Sequence, residues 1–283
     1  MGGPAPALTA GKLAPGPVLA LLVAGGMLSV AVLGDLLAPH GPRALVGPPL
    51  SPPGPGFPLG TDELGQDLWS LWCHGTRNSL YLGLSVGLAS TASATAVALL
   101  SAGPEPAGRA LAAFTEVAAA LPPFFSAMLL VAFLGPGLPS LTVGLTCASW
   151  AAFARVLRTQ VRLELQREYV LAARALGAEE FRVVCRHVLP GLAPLLWTKF
   201  LLTVRWSILM EATLGLVGVS DPLRASWGAV LGSAFAYPLL FTGPTWLWWA
   251  GPPVVSVAVL TWSLAVLGEH LERALDPRTR AFP

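Results

Sequence analysis

The spacing of apolar residues constrains this chain more than any other feature. Six stretches are long and apolar enough to cross a lipid bilayer, for which a helix needs about 20 residues. These stretches are residues 17–37, 80–101, 111–134, 138–156, 192–216 and 252–271. Backbone polar groups inside hydrocarbon must be paired within their own segment, which favours helices over short strands. The sequence therefore predicts an all-α membrane protein with six transmembrane helices.

The composition agrees with this fold class. Of the 283 residues, 54% are hydrophobic and only 11% are charged, whereas an ordinary soluble domain has about 25% charged residues. The mean hydropathy is +0.66. Six spans and their connections leave no room for a large soluble domain. The net charge of +2 arises from basic residues spread along the chain, so nucleic-acid binding is not indicated.

The placement of Lys and Arg predicts the orientation, because short cytoplasmic loops carry an excess of positive residues. With the N-terminus inside, eleven of them fall in inner segments: Lys12, Arg109, Arg158, Arg162, Arg167, Arg174, Arg182, Arg186, Arg273, Arg278 and Arg280. Three fall in outer segments: Arg43, Arg77 and Arg224. We therefore expect both termini to be cytoplasmic, in a multi-pass protein of the inner (plasma) membrane.

This orientation divides the chain into five parts. They are a cytoplasmic N-terminus (1–16), a first transmembrane helix (17–37), an outer loop (38–78), a transmembrane domain (79–272) and a cytoplasmic tail (273–283). The three cysteines have no paired spacing, so we expect free thiols, with Cys73 at the outer interface and Cys185 in the inner loop. The prolines at 122 and 123 should kink the third span, because proline removes a helix donor.

The two outer segments have different patterns. Residues 38–58 contain eight prolines, which predicts extended chain. Leu68, Leu71 and Trp72 then follow at helical spacing, which predicts a short interfacial helix over 63–78, either a plain connector or a part of a gate. The second segment, 217–251, contains four tryptophans that we expect to form an interfacial belt: Trp227, Trp246, Trp248 and Trp249.

The longest inner loop, 158–191, carries the most specific pattern. Helical signals run through it, with breaks at Gly177 and Pro190. They predict a helix-turn-helix below the membrane, in which glycine lets the chain reverse. Pattern alone leaves an alternative open, since any multi-pass protein can have an amphipathic inner loop.

Several motifs resemble one family of transport proteins. Residues 169–177 and 186–190 (YVLAARALG and RHVLP) resemble the coupling-loop signature of binding-protein-dependent ABC importers. That signature has a glutamate, two alanines, a glycine and a distal leucine–proline pair. Residues 59–67 (LGTDELGQD) resemble the outer motif of the C-type permease subunit of dipeptide, oligopeptide and nickel importers, and residues 211–214, 226–228 and 274–278 are similar to later segments of that subunit.

The resemblance implies a type I ABC importer permease fold that forms half of a translocation pathway. It implies as partners a second permease subunit, cytoplasmic ATPase subunits that bind ATP and Mg, an external substrate-binding protein and lipid. The implied coupling residues are Glu168, Tyr169, Ala172, Ala173, Leu176, Gly177, Phe181, Leu189 and Pro190. The implied outer-motif residues are Gly60, Thr61, Asp62, Gly65 and Asp67. Two positions depart from the family pattern, Leu171 in place of glutamate and Gln66 in place of arginine.

Two ionisable residues, Arg205 and Glu211, fall within the fifth span. Such residues usually face a bundle interior or a water-filled path, so each is a candidate for lining the pathway or for bracing helices. The sequence has no phosphate-binding glycine loop, no paired histidines at metal-ligand spacing and no nucleophile motif. We therefore expect no bound cofactor or metal and no enzymatic activity on this chain.

The expected substrate is a di- or oligopeptide, and nickel is the alternative. Few imidazole or thiol groups are placed where a metal path would need ligands. A secondary transporter and a membrane enzyme remain as hypotheses from other classes. The first would need internal repeats or a cluster of midplane carboxylates, and the second a catalytic constellation within the spans.

Overall fold

The structure is a computed structural model that describes residues 15–103, 105–221 and 224–275. Within these residues the regular structure is helical, apart from three isolated β-bridges. The helices are α1 (Pro15–Leu37), α2 (Leu68–Ser101), α3 (Pro106–Ala120), α4 (Pro123–Leu134), α5 (Leu138–Leu165), α6 (Glu168–Ala175), α7 (Glu180–Val183), α8 (Leu189–Leu216), α9 (Trp227–Ala236), α10 (Thr245–Trp249) and α11 (Gly251–Leu275). Most of the predicted N-terminal segment and of the cytoplasmic tail, including the end of the 274–278 motif, lies outside the described residues.

Five helical runs are long and apolar enough to span a membrane, and a bent pair forms a sixth if it counts as one span. The five runs are α1, α2, α5, α11 and the run from α7 through α8. The bent pair is α3 and α4, which meet at 94°. Leu121 there is extended, with ψ 133°, as expected for a residue that precedes Pro122. The predicted kink is confirmed, and it is a sharp break.

The helix predicted over 63–78 is not a separate element. Its residues from Leu68 onward are the first turns of α2, which has 34 residues. Asp67 caps this helix, because its carboxylate accepts the backbone N–H groups of Trp69 at 3.1 Å and Ser70 at 3.3 Å. Leu68 and Leu71 are buried and belong to the main apolar cluster, which also contains residues of α8, α9 and α11. The apolar stripe that suggested an interfacial helix is therefore core.

The break predicted at Pro190 is wrong. A π-helical turn over 184–188 joins α7 to α8, and the helical run continues through the proline. In a regular helix the ring of Pro190 would clash with the carbonyl group four residues earlier. The wider π turn lies at that place and accommodates the ring.

The tryptophan belt is also only partly correct. Trp227 is 0% exposed and Trp249 is 1% exposed, and both belong to the main apolar cluster. Trp246 is exposed. The outer segment folds back on the bundle through α9 and α10, and this fold buries the two tryptophans.

Helix α8 lies at the centre of the bundle and packs against α2, α5, α9 and α11. The small residues of α2 allow a close approach. A Cβ added to Gly83 would lie 2.9 Å from Ile208 Cγ1, and one added to Gly87 would lie 2.6 Å from Val204 Cγ2. The position of α8 is therefore set by direct contact with the α2 backbone.

Candidate functional site

The inner loop folds into a helical hairpin made of α6 and α7, as predicted. Gly177 reverses the chain with φ +82°. The N–H of Gly177 donates to Arg174 O at 2.9 Å, and the N–H of Ala178 donates to Ala173 O at 3.1 Å. These two bonds are the Schellman motif that ends a helix at a left-handed glycine. The turn at Gly177 is thus a defined structure and not a loose loop.

Two further contacts fix the hairpin. Arg174 Nη2 in α6 donates to Glu180 Oε2 in α7 at 2.9 Å. Val170 and Val183, one from each helix, are fully buried in an apolar cluster with residues of α2, α5 and α8. The hairpin is therefore anchored to the end of the bundle that the sequence predicts to be cytoplasmic.

The tip of the hairpin exposes apolar side chains to the surroundings. Leu176 is 89% exposed and Phe181 is 74% exposed. Leu171, at the position of the family glutamate, and Tyr169 are also exposed, and the Tyr169 hydroxyl donates to the Glu164 carboxylate. Large apolar side chains grouped on one exposed element mark a surface that another protein can cover.

The predicted coupling residues do not all lie at this tip. Glu168, Ala172 and Ala173 lie in α6 beside it, and Glu168 is exposed in the first turn. Leu189 and Pro190 lie beyond the π turn, where they begin α8. The leucine–proline pair therefore belongs to the base of the hairpin.

Most residues of the outer motif, 59–67, are buried. Their hydrogen bonds hold the proline-rich loop against the motif. Gly60 and Gly65 have φ +74° and +81°. Thr61 Oγ1 donates to Pro48 O at 2.6 Å, and Asp62 Oδ1 accepts the N–H groups of Leu64 and Gln66 at 2.9 and 2.8 Å. Burial raises the pKa of Asp62, although these N–H groups act in the opposite direction. The motif thus shapes the loop rather than presenting side chains at the surface.

The same loop connects to α2 and borders an outer cavity. The carboxylate of Asp67 caps α2 and also contacts His40 Nδ1 at 3.2 Å. Asp62 and Gln66 line a cavity of about 610 Å³ together with residues of α8 and α9. Its rim carries charged side chains of both signs, among them Arg43, Glu63 and Arg224.

Glu211 is buried, and its hydrogen bonds connect three elements. It is 1% exposed. Its carboxylate accepts the hydroxyl of Ser79 in α2 at 3.2 Å and the hydroxyl of Ser226, and the N–H of Gly228 also faces it. Ser226 in turn caps α9 by accepting the N–H of Ala229 at 3.1 Å. The carboxylate therefore joins α2 and α8 to the start of α9.

A close approach of two backbones accompanies this bracing. A Cβ added to Gly215 in α8 would lie 2.3 Å from the backbone of Gly228, and one added to Gly232 in α9 would lie 2.3 Å from Gly215 O. Such distances are shorter than van der Waals contact, so only glycine fits. Arg205, the other charged candidate, lies nearer the start of α8 than Glu211 and does not join this cluster.

The comparisons with known proteins agree with this geometry. A family model described as the binding-protein-dependent transport system inner membrane component matches residues 94–281. The chain belongs to this family. The matched region includes the helical hairpin, α8 and α9, and the chain is thus a permease subunit of an ABC importer.

Individual relatives match most of the chain. One is the di/tripeptide transport system permease protein DppC of Pseudomonas aeruginosa (strain UCBPP-PA14), 35% identical over 79% of this chain and 73% of its own length. Another is the dipeptide transport system permease protein DppC of Bacillus subtilis (strain 168), 31% identical over 89% of this chain and 78% of its own length. The glutathione transport system permease protein GsiD of Pectobacterium atrosepticum is 29% identical over 79% of this chain and 73% of its own length.

The fold is similar to that of solved importers. The inward-facing MetNI methionine ABC transporter superposes with a TM-score of 0.57 at 20% identity, over 73% of this chain and 96% of that chain. At this identity the likeness concerns the fold, which is that of a type I ABC importer permease.

Three features of the site escaped the sequence analysis. They are the hydrogen bonds of Glu211, the Arg174–Glu180 ion pair and the glycine contact between α8 and α9. Each is a contact between residues that no short-range sequence pattern connects. The sequence does contain one signal for the contact between α8 and α9. Gly228 and Gly232 are four residues apart, and this spacing suits close helix contact.

Removal of the Glu211 carboxylate should loosen α9. In Glu211→Ala the buried groups of Ser79, Ser226 and Gly228 lose their acceptor, which costs about 1–3 kcal/mol for each group left unpaired. We expect a lower thermal unfolding midpoint of the purified protein in detergent. Glu211→Gln keeps an acceptor oxygen and should lose less. Equal midpoints for Glu211→Ala and the unsubstituted protein would contradict the bracing role.

Proposed function

We propose that this permease subunit forms half of a translocation pathway for short peptides, with a second, related permease forming the other half. The observation that carries the proposal is the anchored hairpin with its exposed apolar tip, in a chain of the importer family. The names of the two DppC relatives support peptides as the substrate class. An external binding protein would deliver the peptide on the side of the outer cavity.

The hairpin is the proposed contact with the ATPase. Its tip, Leu176 and Phe181, is apolar and exposed, whereas Val170 and Val183 hold its base in the bundle. The ATPase subunits would bind ATP and Mg and would push on this tip as they close. Because Leu171 replaces the family glutamate, we propose that the contact relies on apolar packing, with Glu168 as the nearest carboxylate in α6.

Substitution of Gly177 tests the coupling role. In Gly177→Val a β-branched residue must adopt φ +82°, a strain of about 1–3 kcal/mol. We expect peptide uptake and peptide-stimulated ATPase activity of the assembled transporter to fall roughly tenfold, since each 1.4 kcal/mol corresponds to about tenfold.

The control for this variant is Gly103→Val. Gly103 lies between α2 and α3, has no positive φ and has nothing within 4 Å of an added Cβ, so insertion and uptake should persist. Unchanged uptake and ATPase stimulation in Gly177→Val would count against the hairpin as the contact with the ATPase.

The orientation can be tested with thiol reagents. Cys185 is exposed beside the hairpin, whereas Cys73 is buried and cannot report on the outer side. In a Cys147→Ser background, a membrane-impermeant maleimide applied to intact cells should spare Cys185 and should label Gly41→Cys, an exposed outer-loop position. Labelling of Cys185 from outside would overturn the model with both termini in the cytoplasm.

The substrate class can be tested by deletion. Cells that lack this subunit should lose uptake of short peptides, and their nickel accumulation should be unchanged. Within the described residues no group of three or more His, Cys, Asp or Glu side chains could hold a metal ion. Loss of nickel accumulation with normal peptide uptake would favour the nickel alternative and would leave the permease assignment intact.

A further inference from the structure

Two cations lie inside the long apolar run of α8. Lys199 and Arg205 are six residues apart, which places them about 9 Å apart along the helix axis and about 120° apart around it. Leu202 lies midway between them and is 38% exposed. We call these three residues the cationic face of α8. It borders a strip of α8 that the neighbouring helices leave open, along which Leu209 and Thr213 are also exposed.

The ammonium group of Lys199 lies over an aromatic ring. Its Nζ atom lies 5.3 Å from the centroid of the Phe153 ring in α5. Phe153 belongs to the apolar cluster that also contains Val170 and Val183 of the hairpin, so Lys199 lies toward the hairpin end of its span. A cation over an aromatic ring gains some stabilisation, but its charge is not neutralised. Arg205 lies near the middle of the span predicted over 192–216, about 20 Å along the axis from Leu192 and about 17 Å from Leu216. The guanidinium group of Arg205 is therefore too deep to reach the interface in the way that a long basic side chain near a helix end can.

Neither cation has a carboxylate partner among the described residues. Two carboxylates of the bundle, those of Glu211 and Glu116, already have other partners. Glu211 accepts hydrogen bonds from Ser79 and Ser226, and Glu116 in α3 contacts Arg155 and Arg158 of α5. The ion pairs of the described chain do not include Lys199 or Arg205.

An unpaired cation at the depth of Arg205 is costly on a face that contacts lipid, and ionisable residues within spans almost always face a bundle interior or a water-filled cavity. Helix α1 shows the contrast, since its exposed positions include Leu22, Val32 and Leu36 and its span has no basic residue. The open strip of α8 therefore meets water or a polar ligand.

We propose that the cationic face lines the translocation pathway and binds carboxylates of the transported peptide. The substrate class that fits is a peptide with an acidic side chain in addition to its C-terminal carboxylate. The proposal rests on the proposed function, because it takes the cargo to be a peptide. The ring of Phe153 holds the Lys199 ammonium toward the path without neutralising it, so that a carboxylate can pair with it during passage.

The test uses the complete transporter, reconstituted in proteoliposomes with its ATPases and its binding protein. The binding protein is saturated with each peptide, so that its own selectivity does not enter the measured rate. The probes are alanyl-glutamate, alanyl-alanine and alanyl-lysine. We expect the unsubstituted transporter to move alanyl-glutamate fastest. Lys199→Met should lower that rate about tenfold, as expected for loss of one charge-assisted pair, and should change the alanyl-alanine rate less than about twofold.

Charge reversal separates this role from a structural one. Lys199→Glu should reverse the preference, so that alanyl-lysine becomes the faster substrate, whereas Lys199→Arg should keep the preference for alanyl-glutamate. The matched control is Arg155→Met, which removes an exposed cation of α5 that pairs with Glu116 and should leave the preference unchanged.

The possible results are distinct. The cationic face is not a carboxylate site if Lys199→Met lowers the transport rates of all three peptides equally. The same conclusion follows if the order of the three rates is unchanged in both Lys199→Met and Lys199→Glu. Either result would leave the assignment of peptide transport intact. Failure of the unsubstituted transporter to move any of the three peptides would instead contradict the proposed function.

Discussion

The structure depends on the close contact of α8 with its neighbours. A carboxylate buried in a membrane span has no water to satisfy it, so Glu211 must be paired by protein groups. Its partners come from α2 and from the start of α9, and those at the start of α9 are within reach because glycines let the α8 and α9 backbones touch. The requirement to satisfy one acidic group thus fixes the relative position of three elements.

The same helix extends toward the inner hairpin. From Glu180 to Leu216 the chain is one helical run of 37 residues, and Val183 at its beginning is buried with Val170 of α6. One continuous element therefore connects the hairpin tip to the bracing carboxylate. The π turn over 184–188 is the part of this run with irregular hydrogen bonding, and π turns of this kind are frequent at functional sites.

The features predicted from sequence and those missed differ in the range of the interactions that cause them. The spans, the reversal at Gly177 and the break before Pro123 follow from local chemistry, namely apolar length, positive φ and a missing donor. The separate helix over 63–78, the break at Pro190 and the position of Trp227 were predicted wrongly because tertiary packing decides them. An apolar stripe has the same pattern whether lipid or another helix covers it, and a π turn has no recognised sequence pattern in this chain.

The ionisable residues of α8 show why sequence position alone could not assign their roles. Glu211, Lys199 and Arg205 lie in the same span, and the sequence offers no means to separate bracing from lining. The structure separates them by their partners. Glu211 is surrounded by hydrogen-bond donors and is buried, so its desolvation is compensated within the fold. Lys199 lies over an aromatic ring and has no carboxylate partner among the described residues, and a charge that these residues leave uncompensated is available to a ligand. Within one helix, the hydrogen-bonded carboxylate of Glu211 stabilises the structure, whereas the cations of Lys199 and Arg205 can bind a ligand.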